Sequence, residues 1–197
     1  MLPFFAVAGA PAGSTPANCL GLEKAHLEKT MTISTPSFGL QVEATFKSIL
    51  RAAGIRQAEG DFTAQSLLLD AQRINARRLA SCAKHFDPAK ADAAQLLDWV
   101  YGIDHLIDVN GTDKVYAAID LTVNRSAVAQ KMSKALQHRS MWSELGVEQF
   151  FVVHVVGDPS DMTKEGAAAL IDQLWDQMAA AFNGPSGRIH KITLNFA

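Results

Sequence analysis

Two apolar arms, Gly102–Val109 and Val115–Asn124, flank an Asn110-Gly111 dipeptide, and each carries one aspartate among apolar neighbours, Asp104 in the first and Asp120 in the second. The stretch reads as a β-hairpin. Its register constrains the rest of the chain, because a slip of one residue turns every side chain to the opposite face. A two-residue Asn-Gly loop, the commonest for this dipeptide, sets Val109 against Thr112 and Asp104 against Ala117, and mixes apolar with acidic residues on both faces. A five-residue loop, Asn110 to Lys114, sets Val109 against Val115, Ile107 against Ala117, His105 against Ile119 and Asp104 against Asp120. One face then gathers Ile103, Ile107, Val109, Val115, Ala117, Ile119, Leu121 and Val123, with His105 as its only polar member. The longer loop is favoured, since it alone allows one-sided burial. Two carboxylates directly opposite, roughly 5 Å apart between Cβ atoms, repel unless bridged, and a buried carboxylate is costly without a partner. The hairpin therefore asks for a cation, and two carboxylates suit a hard divalent ion with oxygen ligands.

The flanking elements follow from periodicity. Val42, Phe46, Ile49, Leu50 and Ala53 give a helical stripe over 39–53, with Glu43 about 75° from its centre. A longer helix is expected from Asp61 to Phe86, with Asp61 as N-cap and with Arg73, Arg77 and Lys84 on one face as the densest basic patch for phosphate contacts. A short helix over 91–100 precedes the hairpin. After it, residues 126–139 form a helix on which Lys131 lies about 80° from the inner stripe, along the sheet end, and Lys134 about 140° away, toward water. Phe150–Val156 (FFVVHVV) is an apolar run suited to a strand buried on both faces, with His154 read as a core histidine. A helix over 163–182, ended by Asn183-Gly184-Pro185, and an alternating strand over 188–196 at a sheet edge complete the chain. The fold class is α/β: a mixed sheet with an antiparallel hairpin followed by a βαβ crossover, flanked by helices.

Composition excludes some classes. A net charge of −2 over 197 residues advertises no global field for nucleic acid, so any such contact is a local patch. Cys19 and Cys82 form neither a disulfide framework nor a metal spacing, which points to a reducing, cytoplasmic setting. Leu2–Ala10 is apolar but too short to span a membrane. Residues 1–38 read as a flexible extension, with Met31 as an alternative start, and 39–197 as a single domain.

Helix, hairpin with an acid in each arm, helix, strand: from Gly39 to Val156 the chain resembles the PD-(D/E)XK nuclease superfamily, the restriction-endonuclease-like fold. The resemblance implies a Glu from the first helix, an Asp from the second core strand and a D/E-x-K in the third, which here fall on Glu43, Asp104 and Asp120. The segment before Gly102 is expected to stand for the family's first strand. The third strand reads Asp120-Leu121-Thr122, so Thr122 occupies the place of the family lysine, and Lys131 on the following helix is the best-placed substitute. The implied activity is hydrolysis of nucleic-acid phosphodiester bonds, with Mg²⁺, or alternatively Mn²⁺, held by Asp104 and Asp120. Arg73, Arg77, Lys84 and Asn124 would contact the nucleic acid, DNA ahead of RNA; self-association is left open. The alternative expectation is a catalytically inactive domain that binds nucleic acid or a protein partner.

Overall fold

The structure, a computed structural model, describes residues 38–109, 111, 115–158 and 162–196. The expected N-terminal extension lies outside the described residues except for Phe38, which opens the first helix. Helix α1 (Phe38–Ala52) buries Val42, Phe46, Ile49 and Leu50, the stripe its periodicity predicts. The chain turns at Gly54, whose φ of 73° suits a residue without Cβ. It then runs beside the coming hairpin: Gln57 bridges antiparallel to Ile107, Ala58 N–H donates to the Leu106 carbonyl (2.8 Å), and Asp108 N–H donates to that of Arg56 (3.0 Å).

Helix α2 (Ala64–Cys82) starts three residues later than expected, because Thr63, and not Asp61, caps it in a reciprocal box with Ser66. It is kinked at Asn75 (φ −149°, ψ 65°), whose Oδ1 accepts from Arg78 N–H at 3.0 Å and so recaps the second half. Helix α3 (Ala93–Leu96) continues into a π-helical turn, Leu97–Tyr101, that ends at Gly102 with φ 73°. This segment is helical, so the expectation that it replaces a first strand is corrected; beside β1, only the short run Arg56–Ala58 bridges antiparallel, along the outer edge of the hairpin.

The sheet has four strands in the order β1-β2-β3-β4: β1 (His105–Asp108), β2 (Tyr116–Thr122), β3 (Val147–Val156) and β4 (Arg188–Asn195). β1 and β2 are antiparallel; β2, β3 and β4 run parallel. Helices α4 (Ala127–Gln137) and α5 (Arg139–Glu144) link β2 to β3, and α6 (Lys164–Phe182) links β3 to β4. This is the mixed α/β architecture read from the sequence. Helix α5 is additional to that reading. It is anchored by fully buried Trp142, whose indole N–H donates to the Ala135 carbonyl at 2.9 Å.

The register is that of the longer loop. His105 pairs with Ile119 and Ile107 with Ala117, and Val109 N–H donates to the Val115 carbonyl at 2.9 Å, which excludes the two-residue turn. Of the loop itself, only Gly111 lies among the described residues. Both faces of the hairpin are buried, however. Ile107, Ala117, Ile119 and Leu121 pack with Phe151 and Val153 under α1 and α6. Leu106, Tyr116 and Ala118 pack with Phe150, Val152 and Trp142 on the opposite side, beneath α2, the π turn and α4; Ile103, expected on the Ile107 face, belongs to this second core, because the regular pairing stops at His105. The alternation of side chains thus sorts residues between two cores, not between core and water. No helix among the described residues is long and apolar enough to cross a membrane.

Candidate active site

At the mouth of the hairpin the regular pairing ends at His105–Ile119, and Asp104 N–H donates to the same Ile119 carbonyl at 2.9 Å, so Asp104 lies just outside the ladder and the expected direct pairing with Asp120 is not formed. Asp104 Oδ2 accepts from Leu121 N–H at 2.6 Å. Helix α4 delivers a cation to this pair. Lys131 Nζ donates to Asp120 Oδ1 and to the Leu121 carbonyl (2.6 Å), and lies 4.0 Å from Asp104 Oδ2. Both carboxylates are largely withdrawn from water, so the ion pair forms where screening is weak.

The electrostatics follow from burial. Desolvation, then the charge of Asp120, hold the Asp104 carboxyl well above the usual carboxylate range, against the opposing effects of Lys131 and Leu121 N–H. For Lys131, burial favours the neutral amine, but Asp104 and Asp120 outweigh it and its affinity for a proton is raised. Glu43, on α1, meets Gly39, Thr122 and Lys131 in a cleft of about 170 Å³. Burial, followed by the charge of Asp98, raises its pKa. The four expected site residues, Glu43, Asp104, Asp120 and Lys131, are therefore brought within one field.

Sequence reasoning missed Asp98. It lies on the π turn, and its pKa is raised by burial and by Asp120, while Lys134 and Lys131 oppose. An acid inside the apolar run Leu96–Tyr101 was the available signal. Lys134 also departs from expectation. It is half-buried, and its Cε and Nζ lie 3.7 Å from where a Cβ on Gly102 would be. The π turn folds up against α4 and gives this lysine a wall in place of water.

The expected nucleic-acid contacts are dispersed. Arg73 pairs with Asp70 (3.2 Å) and with Glu144 of α5. The kink at Asn75 separates it from Arg77, and Lys84 lies past the end of α2, so the three do not share a face of one helix. Asn124 serves the β2–α4 connection, its Oδ1 accepting from Ser126 N–H (3.0 Å) and Ser126 Oγ–H (2.7 Å). Thr122 is used there too, its Oγ1 accepting from Asn124 N–H at 3.1 Å. His154 is buried across from Thr122 in the β2–β3 ladder.

Among the described residues no three His, Cys, Asp or Glu side chains converge as a metal-ligand group. The donor set is instead two carboxylates and the Leu121 carbonyl, all oxygen and all turned toward the Lys131 ammonium. That ammonium stands in for a cation. The same oxygens fit a hard divalent ion that keeps several waters, provided Lys131 moves aside. No protein-family model, curated protein or solved structure matches the chain.

Proposed function

We propose that the chain is a metal-dependent nuclease of PD-(D/E)XK type, hydrolysing phosphodiester bonds of nucleic acid. One observation supports the reading: Asp104 and Asp120 share a single cation, the Lys131 ammonium, which donates to Asp120 and to the Leu121 carbonyl and lies 4.0 Å from Asp104 Oδ2. Asp104, Asp120 and the Leu121 carbonyl are the ligands for Mg²⁺ or Mn²⁺. When bound, the ion supplies a water of lowered pKa and neutralises charge on the scissile phosphate. Lys131, released from the carboxylates, stabilises negative charge growing on the phosphoryl oxygens. Glu43 contributes a third carboxylate beside the same cleft.

The second reading is a nuclease-like domain without activity that binds nucleic acid or protein. The same lysine favours it, because its ammonium already pairs with Asp120 and lies 4.0 Å from Asp104, and Thr122 stands where the resemblance would put the lysine. The two readings part in one assay: purified full chain with plasmid, single-stranded DNA and RNA, in Mg²⁺, Mn²⁺ or EDTA. The nuclease cuts only with metal and loses at least about a hundredfold in rate in Asp120→Asn and in Lys131→Ala. Salt-sensitive binding with no cutting under any metal would establish the second reading.

A further inference from the structure

Behind the aspartate pair, on the outer side of the π turn, lies a second cleft of about 380 Å³. Its wall is made by Arg78 and Ser81 of α2, His85 beyond its end, Asp98 and Trp99 of the π turn, and Lys134 of α4. Trp99 is 45% exposed, although its ring has Phe86 beside it with centroids 5.4 Å apart. Its backbone is fixed from below: Arg78 donates to the Trp99 carbonyl (2.6 Å) and the Val100 carbonyl (3.2 Å), and Cys82 Sγ donates to the Trp99 carbonyl at 3.2 Å. A large aromatic ring left open to water on a rigid turn, in a cleft also lined by His85 and Lys134, is an unusual use of surface. The chemistry it matches is a planar base with a phosphate attached.

Asp98 ties this cleft to the aspartate pair. It lines the cleft, and its carboxyl feels both Lys134 on this side and Asp120 and Lys131 on the other. Lys131 and Lys134 are three residues apart on α4, hence on neighbouring positions of one helix face.

We infer that the Trp99–Lys134 cleft is a nucleotide subsite for a single strand: the base of a flanking nucleotide stacks on Trp99, and its phosphate is held by Lys134 with His85, while Arg78 holds the turn in place. The inference rests on reading the Asp104–Asp120 site as one that acts on nucleic acid. It moves the nucleic-acid contact from the basic patch of α2 to the junction of α2, the π turn and α4.

The test is binding without cleavage. An end-labelled oligothymidylate of about twelve nucleotides, within the usual range of roughly 4–16 per site, is titrated with the full chain in EDTA and followed by fluorescence anisotropy. Trp99→Ala is expected to weaken binding roughly five- to a hundredfold, and Trp99→Phe, which keeps a stacking face, by no more than about threefold. Lys134→Ala should weaken binding and flatten the salt dependence by about 0.7 in the log–log slope. Unfolding temperatures of the three variants close to that of the parent keep these losses attributable to the cleft. The subsite is overturned if the parent chain does not bind the oligonucleotide, if Trp99→Ala binds as the parent does, or if thymidine monophosphate competes as well as the oligonucleotide. A parent chain that binds in this Trp99-dependent way but never cuts with metal keeps the subsite and rejects the nuclease.

Discussion

Asp104 and His105 are neighbours with opposite problems. Asp104 is a carboxylate whose ionisation is opposed by burial and by Asp120. Its folded-state pKa is raised, so the folded chain holds the proton more tightly than the unfolded chain, and stability falls as pH rises from the unfolded value toward the folded one. Asp104→Asn keeps an oxygen for Leu121 N–H and removes the charge. Without metal its unfolding temperature should exceed the parent's at and above neutral pH by a few degrees, on the order of 1 kcal/mol for a domain of this size, with the gain vanishing near pH 3. His105 faces the other way. Both ring nitrogens are buried without a hydrogen-bond partner, its ring is 5.4 Å from that of Phe46, and burial lowers its pKa to about 4. Below about pH 6.5 the unfolded chain takes up a proton that the folded chain resists, so stability is lost as pH falls toward 4. His105→Leu should be more stable than the parent, by an advantage that grows over that window to on the order of 1–3 kcal/mol; denaturant melts at pH 7 and pH 4.5 measure it. An advantage that is flat with pH would show that His105 is not the titrating group.

Among the elements, α1 and α6 were legible because each carries a long apolar stripe of helical period. The hairpin register was legible from His105 to Val109 because only one loop length segregated its side chains, but the break at Asp104, which sends Ile103 to the other core, depends on a backbone bond that alternation does not register. Helix α5 was not, since six residues hold too little periodicity and its anchor is a single tryptophan. The π turn escaped for a different reason: its wider winding departs from the 3.6-residue repeat on which the reading relied, and it carries Asp98 with it. The break in α2 depends on the side chain of Asn75 competing for a backbone N–H, an event a basic stripe counted along an ideal helix does not register. One close approach between strands was equally hidden. Gly157, just past β3, has φ 101°, and a Cβ there would come within 2.3 Å of the Phe196 carbonyl oxygen. Phe196 N–H donates to the Val156 carbonyl at 2.7 Å, so the backbone cannot move away without losing the end of the β3–β4 ladder. Gly157→Ala should therefore cost at least about 2 kcal/mol, or several degrees in the unfolding temperature, whereas Gly60→Ala, with open space around its Cβ position, should cost far less.

For the whole molecule, acid and base strain the fold at different places. His105, His138 and His190 are all shifted toward the neutral form by burial, and they remove stability as pH falls below about 6.5. Glu43, Asp98 and Asp104 are all raised by burial, and they remove it as pH climbs above the ordinary carboxylate range. All three of these acids lie in the field of Lys131, and on the proposed reading a divalent ion in that field should relieve them together. Mg²⁺ is thus expected to raise the unfolding temperature more at pH 8 than at pH 5, which differential scanning fluorimetry can read directly. Lys131 makes this gain conditional. A cation on a flexible stem, anchored eleven residues along the chain from its Asp120 partner, is a tethered competitor with a high local concentration of its own. On the proposed nuclease reading an entering ion has to displace it, so the parent chain is expected to take Mg²⁺ weakly and to respond to millimolar changes. In Lys131→Met the competitor is gone: the metal-free protein should melt lower, the metal-dependent rise should be larger, and half-saturation should fall to a lower Mg²⁺ concentration even as cutting is lost. Tighter metal with poorer cutting in that variant would mark Lys131, on the proposed reading, as a lysine that guards its site as well as serving it.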